Sequence, residues 1–332
     1  MPILIPDIDL YFDGSDQEIR SLVDQIEKSG INCLKLALCC ENPVHESTSP
    51  IDEWYDPLGN KKSEKLFNTF KKRIIQKDIA TGLFEEIYKK FKHFICSVYD
   101  HQAITISSRF CSALKISSSN IWNLPLIIHA SEHTDTLYLD TGNFGDKVVD
   151  VAVAALDKSN FRGELILQYS PPRPPAKVDE WNLTRITELR NRYGRCVGLS
   201  EHSNSHEQAL IAIGLGAESI EKGVMSEKKY QDGVSDSGHC IPISHLSLYY
   251  EKVHDAFESL VARNTLISLK PNTGVYAARN LPDNHVIGPN DVIVKYPCNG
   301  LSSSEWHLLI GKSLNKKVQE DEPIEKENIR DM

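Results

Sequence analysis

Four short segments carry side chains that could do chemistry. Lys115-Ile116-Ser117-Ser118-Ser119-Asn120 sets a lysine at the end of an apolar run, then three hydroxyls and a helix start. A Lys charge, hydroxyls and helix N-terminal amides can together hold a phosphate. A solvated loop with a serine cap has the same composition. Leu139-Asp140-Thr141-Gly142-Asn143 ends a second apolar run, and Gly198-Leu199-Ser200-Glu201-His202-Ser203 and Ile220-Glu221-Lys222-Gly223 end two more. His202 and His206 stand four apart, and His239 is a possible third partner. Two imidazoles at that spacing can share a helix face and bind a divalent metal. If residues 203–205 start the helix, however, His202 lies before it, and the pair reads as one loop and one capping or surface histidine. Glu221-Lys222 reads either as catalytic or as an internal ion pair of a barrel mouth. The sequence holds no Ser-His-Asp order, nucleophile elbow or Cys-x-x-Cys.

These segments recur because strand and helix signals alternate over the first ~260 residues. Short β-rich runs fall at 3–5, 33–38, 93–98, 113–116, 136–139, 165–169, 195–199 and 219–221. Between most of them lie amphipathic stretches of helix length. Residues 17–28 place Ile19, Leu22, Val23 and Ile26 at helical spacing with Gly30 just beyond. Residues 148–156 and 206–215 repeat the pattern, the latter with Ser205 as the N-cap candidate. Eight such units predict a (β/α)8 TIM barrel, whose strand-end loops carry the site. A doubly wound open sheet is the alternative, but no Gly-x-Gly-x-x-Gly follows a strand. Residues 42–77 are polar and read as an extended loop on the active face. Near Leu266 the texture changes to short strands at 275–278, 286–287 and 292–294, separated by Pro, Asn, Asp and Gly. The expected division is a barrel over residues 1–262, a linker at 267–272 and a small β-rich domain over 268–332.

Composition excludes several classes. The chain has 332 residues, 40% apolar and 25% charged, with 46 acids against 37 bases. A net charge of -9, with no basic run longer than Lys89-Lys90-Phe91-Lys92, argues against a nucleic-acid partner. No apolar run approaches the ~20 residues of a membrane span. The start has no basic n-region, so it does not read as a signal peptide. Eight cysteines in a chain this long are not a disulfide framework; several lie in apolar runs as small hydrophobes. The expected location is cytoplasmic.

Taken together, these motifs resemble the sialic acid synthase (N-acetylneuraminate synthase) family. The resemblance rests on Gly198-Leu199-Ser200-Glu201-His202 followed by Gly216-Ala217-Glu218-Ser219-Ile220-Glu221-Lys222. Lys115-Ile116-Ser117-Ser118-Ser119-Asn120, Thr141-Gly142 and Leu34-Lys35-Leu36 add to it. Tyr276-Ala277-Ala278-Arg279-Asn280-Leu281 and Ile310-Gly311-Lys312 are similar to the family's C-terminal antifreeze-like (SAF) domain. The family implies a TIM barrel plus a β-rich SAF domain, usually in a domain-swapped homodimer. It implies condensation of phosphoenolpyruvate with an N-acetylated sugar, assisted by a divalent metal, manganese or magnesium. Carried over by position, Lys35, Ser97, Lys115, Ser118, Thr141 and Ser200 line the phosphoenolpyruvate site. His202 is a metal ligand, and Glu221, Lys222 and Asp236 are the catalytic candidates near metal or sugar.

The same comparison exposes departures. Gly223 stands where the family's second metal-binding His follows its Glu-Lys pair. Asp140 replaces the serine before Thr-Gly and brings a carboxylate to a phosphate position. Tyr11-Phe12-Asp13-Gly14 replaces Asn-His-Asn-Gly, Pro171-Pro172-Arg173-Pro174 replaces Asn-x-Tyr-Pro, Thr273 replaces the SAF-domain arginine, and Asp7 replaces a glutamate. Two functions follow. One is a synthase of the family's class, with His206 or His239 replacing the lost ligand; metal binding is otherwise weak. The other is a catalytically impaired homologue that binds a sugar or a partner synthase.

Overall fold

The structure is a computed structural model that describes residues 3–8, 16–172, 175–260 and 271–330. The departures at Tyr11 to Gly14 and Arg173-Pro174, and linker residues 267–270, lie outside the described residues.

The first unit is a closed barrel of parallel strands: β1 Ile3–Asp7, β2 Cys33–Leu38, β5 His93–Val98, β6 Ala113–Ile116, β7 Thr136–Asp140, β8 Glu164–Tyr169, β9 Cys196–Glu201 and β10 Ser219–Met225. Each pairs with the next, and β10 pairs back onto β1 to close the ring. A two-residue strand, β11 Ile241–Pro242, adds to β10. All eight β-rich runs of the sequence are barrel strands.

The outer layer comprises α1 Asp16–Lys28, α3 Lys77–Lys90, α4 His101–Ser107, α5 Leu124–Ser131, α6 Asp146–Lys158, α7 Arg185–Tyr193, α8 Glu207–Gly214 and α10 Leu246–Leu260. Helix α1 buries Ile19, Leu22, Val23 and Ile26, the stripe its spacing predicts. Helix α8 is capped by His206 instead of Ser205, whose hydroxyl donates to Gln208 Oε1 at 2.9 Å.

The polar stretch read as a loop contains an antiparallel hairpin, β3 Ile51–Tyr55 with β4 Lys61–Lys65, followed by α2 Leu66–Lys71. Its strands bury no residue, so no hydrophobic alternation marks it. Turn chemistry closes it: the Asp56 carboxylate accepts from the Leu58 and Asn60 amides at 2.9 and 2.8 Å. The short α9 Glu227–Asp232 completes the first unit.

Strand alternation separates two layers. Leu34, Cys96, Leu114, Leu137, Leu139, Leu167, Val197 and Ile220 face the helices and form the main core. Ile5, Cys33, Ile95, Ala113, Tyr138 and Ile166 face inward and plug the barrel. Two residues along each strand toward its C-terminal end, the same period places Asp7, Lys35, Ser97, Lys115, Asp140 and Gln168 inside.

The second unit, Ala262–Met332, has its own core of Val275, Ala277, Leu281, Ile287, Val292, Leu301, Leu309, Leu314, Val318, Ile324 and Ile329. It pairs β12 Gly274–Ala277 with β13 Val292–Lys295 and includes α11 Trp306–Leu309. The strand expected at 286–287 is only a single bridge from Val286 to Ser313.

Gly198 tests the packing of the inward layer. A Cβ there would lie 2.0 Å from Ser219 Oγ and 2.9 Å from the Ser219 carbonyl of the neighbouring strand. Gly198→Ala is therefore expected to destabilise the barrel by about 1–3 kcal/mol through overpacking. Adding Ser219→Ala should recover only part of the loss, because the carbonyl remains. Urea midpoints at constant m-value measure both.

Candidate active site

Glu221 is the hub of the inward polar layer. Its Oε1 and Oε2 accept from Lys115 Nζ at 2.6 and 2.7 Å, and its Oε1 lies 3.1 Å from Lys35 Nζ. Ser200 Oγ donates to the same carboxylate at 3.0 Å. Lys35 also pairs with Asp7 at 2.9 Å and donates to Ser97 Oγ at 3.1 Å. Lys115 lies 3.5 Å from both Ser200 Oγ and Asp140 Oδ2. All of these residues are buried. Burial alone would raise the Glu221 carboxyl, but the Lys115 and Lys35 ammonium groups override it and hold it well below the usual carboxylate range. Three carboxylates, Asp7, Asp140 and Glu221, thus surround the Lys35 and Lys115 ammonium groups.

The strand-end loops hold Asp140 in place. Its Oδ1 accepts from the Gly142 amide at 2.9 Å and from Ser170 Oγ at 2.7 Å. Gly142 takes φ +53°, and a Cβ on it would sit 3.1 Å from Ser118 Cβ and 3.2 Å from the Phe144 ring. Glycine is needed there both for its backbone and for the close approach of the Ser118 loop. Ser118 is half-buried beside that turn. Thr141 is buried and donates its hydroxyl to the Gln168 carbonyl at 3.0 Å, so it braces β7 against β8.

His202 is half-buried just past the end of β9, with Nε2 3.3 Å from Ser200 Oγ. Burial pushes its imidazole down to about 4, against the pull of the Asp140 carboxylate. Its ring packs 4.9 Å from that of His239, which burial, His202 and the nearby lysines also lower. The partner of His202 is therefore His239, from a loop far along the chain. His206 stands at the start of α8, with Nε2 3.9 Å from Glu207.

Two candidates lie outside the Lys–Glu cluster. Lys222 follows Glu221 by one residue, so it faces the helices. There it pairs with Glu201, donates to the Ser203 and His239 carbonyls, and lies 5.5 Å from the Tyr249 ring centre. It is an internal ion pair between strands β9 and β10 that anchors the His202 and His239 loops. Asp236 has φ +69° ahead of Ser237, and pairs with Arg73 at 3.9 Å. Gly223 lies inside β10 beside Asp7, on the inward face, where extended backbone accepts any side chain.

A divalent metal needs several converging donors. His202 offers a buried Nδ1 with no hydrogen-bond partner among the described residues. Yet no group of three His, Cys, Asp or Glu donors converges around it; among the described residues that occurs only at His129, Glu132 and His133. Among the described residues, the barrel mouth holds no preformed three-donor metal site.

Sequence reasoning passed over Gln168 and Ser170. Gln168 is fully buried on the inward face between Asp140 and Gly198, and neither amide atom has a partner among the described residues. Its only signal was the polar residue at an inward position of an otherwise apolar strand.

A profile of the NeuB family matches residues 22–262, and one of the SAF domain matches residues 272–330. N,N'-diacetyllegionaminic acid synthase of Campylobacter jejuni is 23% identical over 241 residues, covering 70% of this chain and 71% of its own. N-acetylneuraminate-9-phosphate synthase of Drosophila melanogaster is 22% identical, covering 97% of this chain and 94% of its own. Among solved structures, a spore coat polysaccharide biosynthesis protein E from Chromobacterium violaceum superposes with TM-score 0.71 at 18% identity, covering 99% and 100% of the two chains. N-acetylneuraminic acid synthetase from Leptospira borgpetersenii gives 0.67 at 20% identity, covering 81% and 87%. These likenesses show the barrel-plus-SAF fold.

Glu221→Gln is expected to cost about 3–5 kcal/mol at pH 7, because it removes the charge that neutralises two buried lysines. Glu221 has a depressed folded pKa, so its contribution is complete above the unfolded value of ~4.3 and is lost as pH falls through the folded value. Wild type should lose stability below about pH 4.3, and the variant should lose less across the same range. Urea unfolding at pH 7 and pH 3 reads both. Parallel pH dependence in the two proteins would refute the assignment.

Proposed function

The chain belongs to the NeuB family, and from that premise we propose that it is a synthase joining phosphoenolpyruvate to an N-acetylated sugar. The observation that carries the reading is the buried cluster of Lys35, Lys115 and Glu221, with Ser97 and Ser200, at the C-terminal ends of the barrel strands. That is the end at which TIM barrels bind and react.

Lys35 and Lys115 supply the cations an anionic enol donor needs, and the Ser97 and Ser200 hydroxyls orient its oxygens. Glu221 holds the two ammonium groups at fixed separation before the donor arrives. The enol C=C pair forms the bond to the sugar's aldehyde carbon as the C=O pair moves onto oxygen, where the developing alkoxide takes a proton. Water adds to the former enol carbon, and cleavage of its C–O bond releases inorganic phosphate and leaves the 2-keto acid. Divalent-metal assistance belongs to the family resemblance. With Gly223 in place of a histidine, manganese or magnesium affinity should be low. Asp236, paired with Arg73, is the sugar contact that the family resemblance implies. The reading includes a cytoplasmic homodimer in which one protomer's SAF domain covers the partner's barrel mouth. Sizing should then give twice the 37.4 kDa of the chain, and a monomer at micromolar concentration would remove that part. No disulfide joins any of the eight cysteines, and no described helix is long and apolar enough to cross a membrane.

One observation favours a second reading, a homologue impaired in donor binding. Asp140 lies 3.5 Å from Lys115 and occupies the cation that a phosphate would use. At that range a like charge costs a bound phosphate roughly 1 kcal/mol or more, even with strong screening.

Asp140→Ser should therefore strengthen phosphoenolpyruvate binding by about tenfold in calorimetry, equivalent to about 1.4 kcal/mol. Phosphate release that depends on an added N-acetylated sugar would establish the synthase. Donor binding without any release, across a panel of such sugars, would establish the impaired form. No donor binding in either protein would overturn both. Gly223→His, which adds an imidazole on the inward face above Glu221, should raise manganese affinity at least about tenfold. Tight manganese binding by wild type would show that His239 already completes a site.

A further inference from the structure

We propose that His129 and His133, together with Glu132, form a zinc site on the outer helical layer. The donor atoms of these three residues all lie within 4.8 Å of one another. Zinc bonds nitrogen and oxygen at ~2.0–2.2 Å, so ligands in a tetrahedral shell sit about 3.3 Å apart. Small side-chain rotations bring the three to that spacing.

The backbone supports the geometry. Helix α5 ends at Ser131, but its hydrogen bonds run on. The Glu132 amide donates to the Ile128 carbonyl at 3.2 Å, and the His133 amide to that of Ala130 at 3.0 Å. Residues 129 and 133 therefore stay one turn apart on one face. The ring packing is consistent, with centroids of His129 and His133 4.4 Å apart.

The ring chemistry also fits. His133 Nδ1 lies 2.9 Å from the His129 carbonyl. A carbonyl only accepts, so Nδ1 carries the proton and Nε2 keeps the lone pair that a metal would take. A hydrogen bond of this kind behind a metal-binding histidine orients the ring and raises its basicity. His129 is held from the other side by His101, the first residue of α4, whose ring stacks on it at 4.4 Å and 21°. Glu132 Oε2 lies 3.5 Å from His129 Nδ1 and supplies the anionic donor. Two imidazoles and a carboxylate, open to solvent for a fourth water ligand, select zinc or copper over magnesium or calcium.

The test is a zinc chloride titration of the full chain after chelator treatment, followed by calorimetry. One zinc per chain is expected. His129→Ala and His133→Ala should each weaken it at least about tenfold, with a smaller loss for Glu132→Gln. These side chains lie on the surface, and unchanged thermal melts without metal check folding. Cobalt(II) on the wild-type chain provides a second readout: visible absorption of a four-coordinate site, removed by zinc. Zinc affinity unchanged in both histidine variants would place the ion elsewhere, as at His202, and overturn the proposal. No binding to wild type up to about 1 mM zinc would also overturn it.

Discussion

Two lysine ammonium groups sit inside a closed barrel, and the rest of the inward layer is organised around compensating them. An isolated ammonium in such a place would lose its proton or unfold the barrel. Around Lys35 and Lys115 the compensation comes from Glu221, which bridges them at 3.1 and 2.6 Å, and from Asp7 and Asp140 on the far sides. That arrangement needs five strands, β1, β2, β6, β7 and β10, in fixed register. The apolar plug beneath them supplies that register. Ile5, Cys33, Ala113 and Tyr138 fill the interior two residues before Asp7, Lys35, Lys115 and Asp140. Site and plug are consecutive turns of one period-two pattern, so a register slip in any strand would bury a charge among the helices.

That periodicity explains what the sequence made legible. Eight apolar runs with small breaks between them gave the barrel, and the residues that end those runs gave most of the cluster. It also explains why Lys222 is not in that cluster. In the chain Glu221-Lys222 looks like one unit, but on a strand adjacent residues face opposite ways. Pairing of Lys222 with Glu201 across β9 and β10 puts both in the outer layer. Their ion pair is still tied to the site, since Lys222 also holds the His239 and Ser203 carbonyls.

What stayed hidden was hidden for definite reasons. The β3–β4 hairpin buries no residue in either strand, so hydrophobic patterning had nothing to register. His206 and His239 were equal candidates for the neighbour of His202; the short 3-10 turn at residues 237–239, beyond β10, brings His239 to it, and sequence distance could not tell the two apart. Gln168 shows only as a polar residue in an apolar strand, and without its neighbours that could equally be a satisfied core amide. The second unit is legible as short strands but not as pairings, because its bridges join single residues across the chain.

The arrangement around Asp140 decides how the mouth meets an anion. Lys115 has two carboxylates in reach: Glu221 accepts at 2.6 Å, and Asp140 stands off at 3.5 Å. Glu221 cannot leave, since Lys35 and Ser200 hold it as well. Nor is Asp140 easily displaced, because the Gly142 amide and the Ser170 hydroxyl both donate to it. An incoming phosphate thus meets a lysine whose charge is already shared and a carboxylate pinned by its own loop. The cations remain where an anionic donor would need them, but their field is spent within the protein. Under the proposed function, that local balance of charge separates a mouth that turns over substrate from one that only binds it, since the fold is common to both.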